Sequence, residues 1–391
     1  MIKRSITDKV FELSTKYPVI SITGPRQSGK TRLCKAIFSE YTYLNLENLD
    51  TLARATADPK SFLQVGSGQR IIIDEIQKSS DLLSYIQTEV DEQDIEGQFI
   101  ITGSQNFAIS EGISQSLAGR VAQFTLLPLS VGEIAQSEYR DQFSDDQDYM
   151  LQGFYPRPVV KNISDQDFYR DYLATYVERD VRQIKNIGDL ALFQKFLKLV
   201  AGRVGQLVNY TSLANDVGVS YKTIESWLSV LEASYITYRL QPYFKNFGKR
   251  LIKSPKLFFY DVGLLCYLLE ISSESELRTH YARGQIFENL VMTEVKKQIF
   301  NARRNEKMYF WRDNHQNEVD LLLSSGSQLH GIEIKSSQTF NPDMLSTLKS
   351  WHALETDVKQ ATSLAYAGSA EQSIEGIQLE NWKTFVSGLE K

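Results

Sequence analysis

The sequence predicts an α/β protein in three parts: a parallel β-sheet wrapped by helices, a helical segment with a helix-turn-helix, and a smaller α/β unit at the end. Three observations carry this. Five apolar, mostly β-branched runs alternate with helical patterns before residue 130. Two helical patterns flank Gly218 and are followed by strand-like pieces. Past residue 284 a long helix gives way to three short strands. With 391 residues the chain exceeds what one hydrophobic core usually serves, and it divides into residues 1–150, 151–275 and 276–391.

The five runs are Val19–Thr23, Tyr43–Leu46, Arg70–Asp74, Phe99–Thr102 and Val121–Leu126. Runs that are apolar at successive positions suit strands covered on both faces, hence a parallel sheet between helical layers. The acidic stretch Glu138–Asp148 reads as a surface loop. From Asp165 to Val200 aromatic and apolar residues recur at helical spacing. Tyr210–Ile236 reads as two helices, with Thr211 and Ser220 as N-caps and Gly218 as the break. Ile224, Trp227, Leu228 and Leu231 form the buried stripe of the second helix. Strands over Tyr235–Tyr243 and Leu251–Tyr260 follow, and the arrangement resembles a winged helix-turn-helix. A helix over Gly284–Phe300 then leads into strands Met308–Trp311, Glu318–Leu323 and Leu329–Lys335.

Composition narrows the function classes. Hydrophobic residues make up 42% and charged residues 23%, the balance of a folded protein. No apolar run approaches the ~20 residues a membrane helix needs, and no apolar segment follows the basic N-terminus. No membrane association and a cytoplasmic location are therefore expected. Cys34 and Cys266 are too few for a disulfide framework and too far apart in sequence for a zinc motif. The net charge of −5 is unevenly spread: residues 155–259 carry 16 Lys and Arg against 9 Asp and Glu. That segment could face a polyanion or present a solvated basic surface.

Gly24-Pro25-Arg26-Gln27-Ser28-Gly29-Lys30-Thr31 follows a predicted strand and, with Arg32, opens a predicted helix. This is the context in which G-x-x-x-x-G-K-[ST] cradles phosphates. Glycines admit backbone N–H groups, Lys30 neutralises the β- and γ-oxygens, and Thr31 offers a hydroxyl to magnesium. The first part thus reads as a P-loop NTPase sheet binding ATP and Mg2+. Ile71-Ile72-Ile73-Asp74-Glu75 resembles a Walker B strand, with Asp74 on the metal side and Glu75 as general base. Thr102 and Ser104, at the end of the next strand, compete for contact with the γ-phosphate or the attacking water. Arg120 is a candidate for transition-state charge, within the chain or across a subunit boundary, which admits an oligomer.

Gly-Pro-Arg-Gln-x-Gly-Lys-Thr, Ile-Asp-Glu-Ile-Gln, Thr-Gly-Ser, and Ala-Gly-Arg before Leu-Pro-Leu-Ser occur together. The chain thereby resembles a prokaryotic AAA-type ATPase family whose C-terminal half carries a domain of unknown function. The resemblance covers nearly the whole chain. It implies ATP binding, a winged helix after the ATPase part and a nuclease-like final domain.

Between Arg239 and Lys256 lie six cations, Arg239, Lys245, Lys249, Arg250, Lys253 and Lys256, with no acid and with Tyr243, Phe244 and Phe247 interleaved. Cations contact phosphates and aromatic rings pack on bases, so this hairpin is the candidate DNA surface. In the final segment Glu333 and Lys335 share one strand face, Asp320 lies on a neighbouring strand and Glu288 on the preceding helix. The set resembles the PD-(D/E)XK nuclease core, with Val319 where that motif often has Pro. The resemblance implies Glu288, Asp320 and Glu333 as magnesium ligands and Asp320, Glu333 and Lys335 as the catalytic set. The expectation is an ATPase whose nucleotide state controls a DNA-contacting, nuclease-like half. Its rival is a regulatory switch whose C-terminal half binds a protein partner without nuclease activity.

Overall fold

The computed structural model describes residues 2–64, 70–104, 116–181, 189–243, 254–313, 315–354 and 359–389. They form two compact units. One contains Met1–Leu129 with Ala233–Tyr235 and Phe300–Arg303, and the other contains Ser130–Glu232, Ile236–Ile299 and Arg304–Lys391.

The first unit is built on five parallel strands: β1 (Val19–Thr23), β2 (Thr42–Asn45), β3 (Ile71–Asp74), β4 (Phe99–Gly103) and β5 (Val121–Thr125), ordered β2-β3-β4-β1-β5. Successive side chains on a strand point to opposite faces. Val19, Ile71, Ile73, Phe99 and Ile101 therefore pack on one side against Leu82, Leu83 and Ile86. Ile20, Ile22, Ile72 and Ile100 pack on the other side against Val10, Leu33 and Cys34. Two apolar layers explain the successive apolar positions of the fully buried strands β1, β3 and β4, whereas the edge strands β2 and β5 are only partly buried. Because β4 stands between β1 and β3, its C-terminal residues lie between the loop that leaves β1 and the acids that end β3.

The stretch expected as a loop over Glu138–Asp148 is partly helical. A helix over Asp146–Gln152 begins inside it, started by Asp145, whose carboxylate accepts from the backbone N–H groups of Gln147 and Asp148 while Asp148 caps back. The acids there serve as caps rather than as loop solubilisers. The helix-turn-helix consists of Tyr210–Val217 and Tyr221–Ala233, with Gly218 between them. Its first cap is Asn209, one residue before the helix, and not Thr211. Ser220 caps the second helix through the N–H of Thr223, and Ile224, Trp227, Leu228 and Leu231 are buried as expected.

The second unit holds a mixed eight-stranded sheet. Its strands are β6 (Thr237–Pro242), β7 (Lys256–Phe259), β8 (Lys307–Arg312), β9 (Glu318–Ser325), β10 (Gln328–Lys335), β11 (Lys359–Tyr366), β12 (Gln372–Ile374) and β13 (Ile377–Asn381). They are ordered β12-β13-β11-β10-β9-β8-β6-β7. The pair β6–β7 that follows the helix-turn-helix is not a separate hairpin. β6 pairs with β8 in parallel, Gln241 opposite Tyr309 and Pro242 opposite Phe310, so it extends the C-terminal sheet. Trp351 covers the centre of this sheet at Gly331, where a Cβ would lie 2.7 Å from the indole ring, so any side chain there would displace it.

Candidate functional sites

The loop after β1 is shaped by its glycines. Gly24 has φ of 147°, and a Cβ there would lie 2.2 Å from the carbonyl oxygen of Leu126. Gly29, at φ of 101°, turns the chain into the helix Lys30–Ile37. Lys30 is buried, and its ammonium donates to the carbonyl oxygens of Gly24 (2.9 Å) and Pro25 (2.8 Å). Burial lowers its pKa below the ordinary lysine value, partly offset by the nearby Glu75 and Asp74 carboxylates. Pro25 and Ser28 are buried within the loop, Arg26 pairs with Glu47 at 3.0 Å, and Gln27 and Arg32 are exposed.

Asp74 is the meeting point of this site. Its carboxylate accepts hydrogen bonds from the hydroxyls of Thr31 (2.8 Å), Tyr43 (2.6 Å) and Thr102. Glu75, in a left-handed backbone conformation with φ of 59°, accepts from the Gln77 amide and from Ser104 at 3.1 Å. Thr102 and Ser104, the two candidates for contact with the γ-phosphate or the attacking water, each donate to one of these acids: Thr102 to Asp74 and Ser104 to Glu75. The donor set of Thr31 and Asp74, a hydroxyl and a carboxylate at the loop, fits a magnesium ion that keeps waters and phosphate oxygens as its other ligands.

Arg120 lies elsewhere. Its carbonyl accepts from the N–H of Val19, at the start of β1, and its guanidinium grips Asp91 at 2.6 and 2.9 Å. Five residues of strand, roughly 13 Å, separate that end of the sheet from the phosphate loop. The within-chain role expected for Arg120 does not hold.

Four contributors were not singled out from the sequence. Tyr43 and Gln77 contact the two acids directly. Arg4 is buried behind the loop and donates to the carbonyl oxygens of Ser28 (2.7 Å), Leu127 (2.7 Å) and Pro128 (3.4 Å). Tyr235 shares a 2.8 Å hydrogen bond with Thr23, the last residue of β1. Of these only Gln77 lay inside a recognisable motif, two residues past Glu75; the others depend on long-range pairing that spacing does not encode.

In the second unit Glu288, Asp320, Glu333 and Lys335 come together, but with company. Lys256, from β7, has a side chain only 3% exposed and pairs with Glu288 (3.2 Å) and Glu318 (2.5 Å). Arg312 also reaches Glu318, at 3.3 Å. Lys335 pairs with Glu333 and stands 3.7 Å from Asp320, which in turn accepts from the N–H of Ile334 at 2.9 Å. Burial and then the neighbouring Asp320 push Glu333 up to about 8, with Lys335 opposing. Burial pushes Glu288 up to about 7 against the pull of Lys256. Burial would lower Lys256, yet Glu288, Asp320 and Glu318 together hold it above its usual range. Among the described residues no group of three or more His, Cys, Asp or Glu side chains is arranged to hold a metal ion.

The basic hairpin is correspondingly reduced. Arg239 forms a bidentate pair with Glu232 and also donates to Tyr210 at 2.8 Å, and Lys256 is buried. Tyr243 packs edge-on against Tyr309. Lys245, Lys249, Arg250, Lys253, Phe244 and Phe247 lie outside the described residues.

The sequence matches an AAA domain over residues 16–135, a domain of unknown function (DUF8612) over 144–275 and a second (DUF4143) over 283–384. An uncharacterized protein of Mycobacterium tuberculosis is 31% identical over 328 residues, covering 83% of this chain and 71% of its own length. An uncharacterized protein of Haemophilus influenzae is 26% identical over 282 residues, 62% of this chain and 67% of that protein. Among solved structures, a Walker-type ATPase of Pyrococcus abyssi is similar at a TM-score of 0.43 and 14% identity, over 68% of this chain and 96% of that one. The Holliday junction branch migration motor of Thermotoga maritima has a TM-score of 0.34 at 20% identity, over 61% of this chain and 90% of that one. None of the described helices is long and apolar enough to cross a membrane.

Proposed function

With an AAA domain followed by two domains of unknown function, this chain belongs to the same family as the uncharacterized mycobacterial protein, and we propose that it is a magnesium-dependent ATPase serving as a regulatory switch. The single observation that carries the ATPase reading is the convergence of Lys30, Thr31, Asp74 and Glu75 at the C-terminal ends of β1 and β3. Lys30 binds phosphate oxygens through an ammonium that burial has already stripped of water. Thr31 and Asp74 would hold Mg2+, which when bound with the nucleotide neutralises phosphate charge. Asp74 is kept in place by the hydroxyls of Tyr43 and Thr102. Glu75 takes a proton from the attacking water, and Gln77 and Ser104 orient its carboxylate.

For the C-terminal half the switch reading is favoured over a nuclease by the cations already seated among Glu288, Glu318, Asp320 and Glu333. DNA contact has lost Arg239 and Lys256 as phosphate ligands to internal pairing.

The test is ATP turnover by the full chain in Mg2+ and in chelator, with and without DNA. Turnover should require Mg2+ and be unaffected by DNA. Lys30→Ala should abolish nucleotide binding, while Glu75→Gln should keep binding and stop turnover. Equal rates for Glu75→Gln and wild type would remove Glu75 from the chemistry. Salt-sensitive DNA binding abolished by Lys249→Glu with Arg250→Glu would restore the DNA-contacting reading.

A further inference from the structure

The carboxylate cluster of the second unit disagrees with the divalent-metal site that its sequence pattern implies, and the disagreement has a definite author in Lys256. Four carboxylates meet there: Glu288 from the helix Arg283–Asn301, Glu318 and Asp320 from β9, and Glu333 from β10. Three cations stand among them. Lys335 and Arg312 lie on β10 and β8, the two neighbours of β9 in the sheet. Lys256 comes from β7, the strand that ends the sheet on the other side of β6.

Lys256 differs from the other two in its burial. The side chains of Arg312 and Lys335 are 24% and 35% exposed and can turn toward water. That of Lys256 is 3% exposed, and its ammonium lies between Glu288 and Glu318, with the Phe310 ring 5.6 Å away. β7 is held in turn by pairing with β6 and by the bridge from Leu207 to Lys256. A charge so placed cannot leave without unpairing its strand or stranding two carboxylates.

We propose that Lys256 is the resident cation of this cluster: its ammonium compensates Glu288 and Glu318 at the place where a divalent ion would bind, and thereby excludes divalent metal. Each acid already has a charged or hydrogen-bonding partner. Glu288 and Glu318 have Lys256, Asp320 has the Ile334 N–H and Lys335, and Glu333 has Lys335. One oxygen of Glu333, Oε2, is buried without a partner. Mg2+ is commonly held by one or two carboxylates with waters completing its shell, but here the other carboxylates are already taken by cations, and the Lys335 ammonium beside this lone oxygen repels a doubly charged ion from it. The cluster then works as an ionic clamp that fixes β7 to the helix and to β9. This inference is independent of the ATPase reading and involves no residue of the phosphate loop.

The experiment is Mn2+ binding to the nucleotide-free full chain, followed by electron paramagnetic resonance of free Mn2+ and by calorimetry. Four proteins are compared: wild type, Asp320→Asn, Lys256→Met and the Lys256→Met/Asp320→Asn double variant. Wild type and Asp320→Asn should give the same isotherm, because the cluster takes up no Mn2+ in either. Lys256→Met should gain one site at least tenfold tighter than any in wild type, and the double variant should lose it. A Mn2+ site in wild type that disappears in Asp320→Asn would overturn the proposal. So would a folded Lys256→Met protein, verified by circular dichroism, that gains no site. Should Lys256→Met fail to fold, the comparison of wild type with Asp320→Asn still decides.

Discussion

Thr31 donates a 2.8 Å hydrogen bond to Asp74, joining the first turn of the phosphate-loop helix to the end of a strand two positions away in the sheet. The bond holds together the hydroxyl and the carboxylate that we propose as the protein's ligands to magnesium. Asp74→Asn keeps the shape and most of the hydrogen bonding but removes the charge. ATP turnover should fall by at least about 100-fold, the range seen when a group stabilising transition-state charge is removed. Steady-state rates measured across a Mg2+ titration check this. A variant with wild-type rate and wild-type Mg2+ requirement would detach Asp74 from the metal.

Tyr43 reaches the same carboxylate from β2, with the Lys35 ammonium 3.5 Å over its ring. Tyr43→Phe deletes one hydrogen bond to a charged acceptor and little else, an effect of about 1.5–3 kcal/mol at most. The expected result is a several-fold higher Mg2+ concentration for half-maximal ATPase rate, with a loss of thermal stability no larger than that one hydrogen bond. An unaltered Mg2+ dependence would make Tyr43 a packing residue only.

Gln77 and Ser104 both donate to Glu75, whose own backbone is left-handed. Gln77→Ala should lower kcat about tenfold and leave ATP affinity intact, because the base loses its orientation while Lys30 and Thr31 keep theirs. A rise in the nucleotide dissociation constant with kcat unchanged would show that Gln77 serves binding instead.

The first sheet was legible from the chain because its strands are buried on both faces, which leaves an unbroken signal in Ile71–Ile73 and Phe99–Ile101. The phosphate loop and the acids after β3 were legible because their chemistry is packed into contiguous residues. What escaped depends on pairing across distance. The place of Arg120, a candidate within the chain or across a subunit boundary, was not legible, since Ala-Gly-Arg does not reveal which end of the sheet it occupies. The strands β11 to β13 escaped because Lys359–Tyr366 mixes polar and apolar residues and β12 has only three. Lys256 was assigned to a surface hairpin, since six cations in a row of polar and aromatic residues give no hint that one is turned inward.

Arg4 shows how far the phosphate loop depends on residues outside it. Its guanidinium donates to Ser28 inside the loop and to Leu127 and Pro128 on the segment after β5, closing two backbone stretches over one buried cation. Arg4→Ala leaves these carbonyl groups without that donor, which should lower the stability of the first unit by about 2–3 kcal/mol. It should also weaken nucleotide binding as the loop loses its backing. Chemical denaturation with and without ATP checks both effects. Arg4→Lys, with one donor group in place of the fork, should recover only part of the loss.

His330, on β10, carries the clearest acid sensitivity of the second unit. Burial pushes its pKa down to about 4, because the imidazolium would have to form beside the Phe385 ring and within the sheet, with Ser363 as hydrogen-bond partner at 2.9 Å. In the unfolded chain a histidine titrates near 6.5. Between those values the unfolded state binds the extra proton and the folded state does not, so stability rises with pH across the window. The contribution is fully present above pH ~6.5 and is lost as pH falls toward ~4. Its size is on the order of 1–3 kcal/mol at most, after allowance for a side chain that is not wholly enclosed. His330→Gln, which keeps a hydrogen-bonding side chain without a titrating ring, should flatten the dependence of unfolding free energy on pH between 4 and 6.5 while leaving the profile above pH 7 parallel to wild type. Urea unfolding followed through tryptophan fluorescence, which reports on Trp351 and Trp382 in this unit, measures it. An identical slope in the two proteins would show that the imidazole charges in the folded state and that the sheet accommodates it.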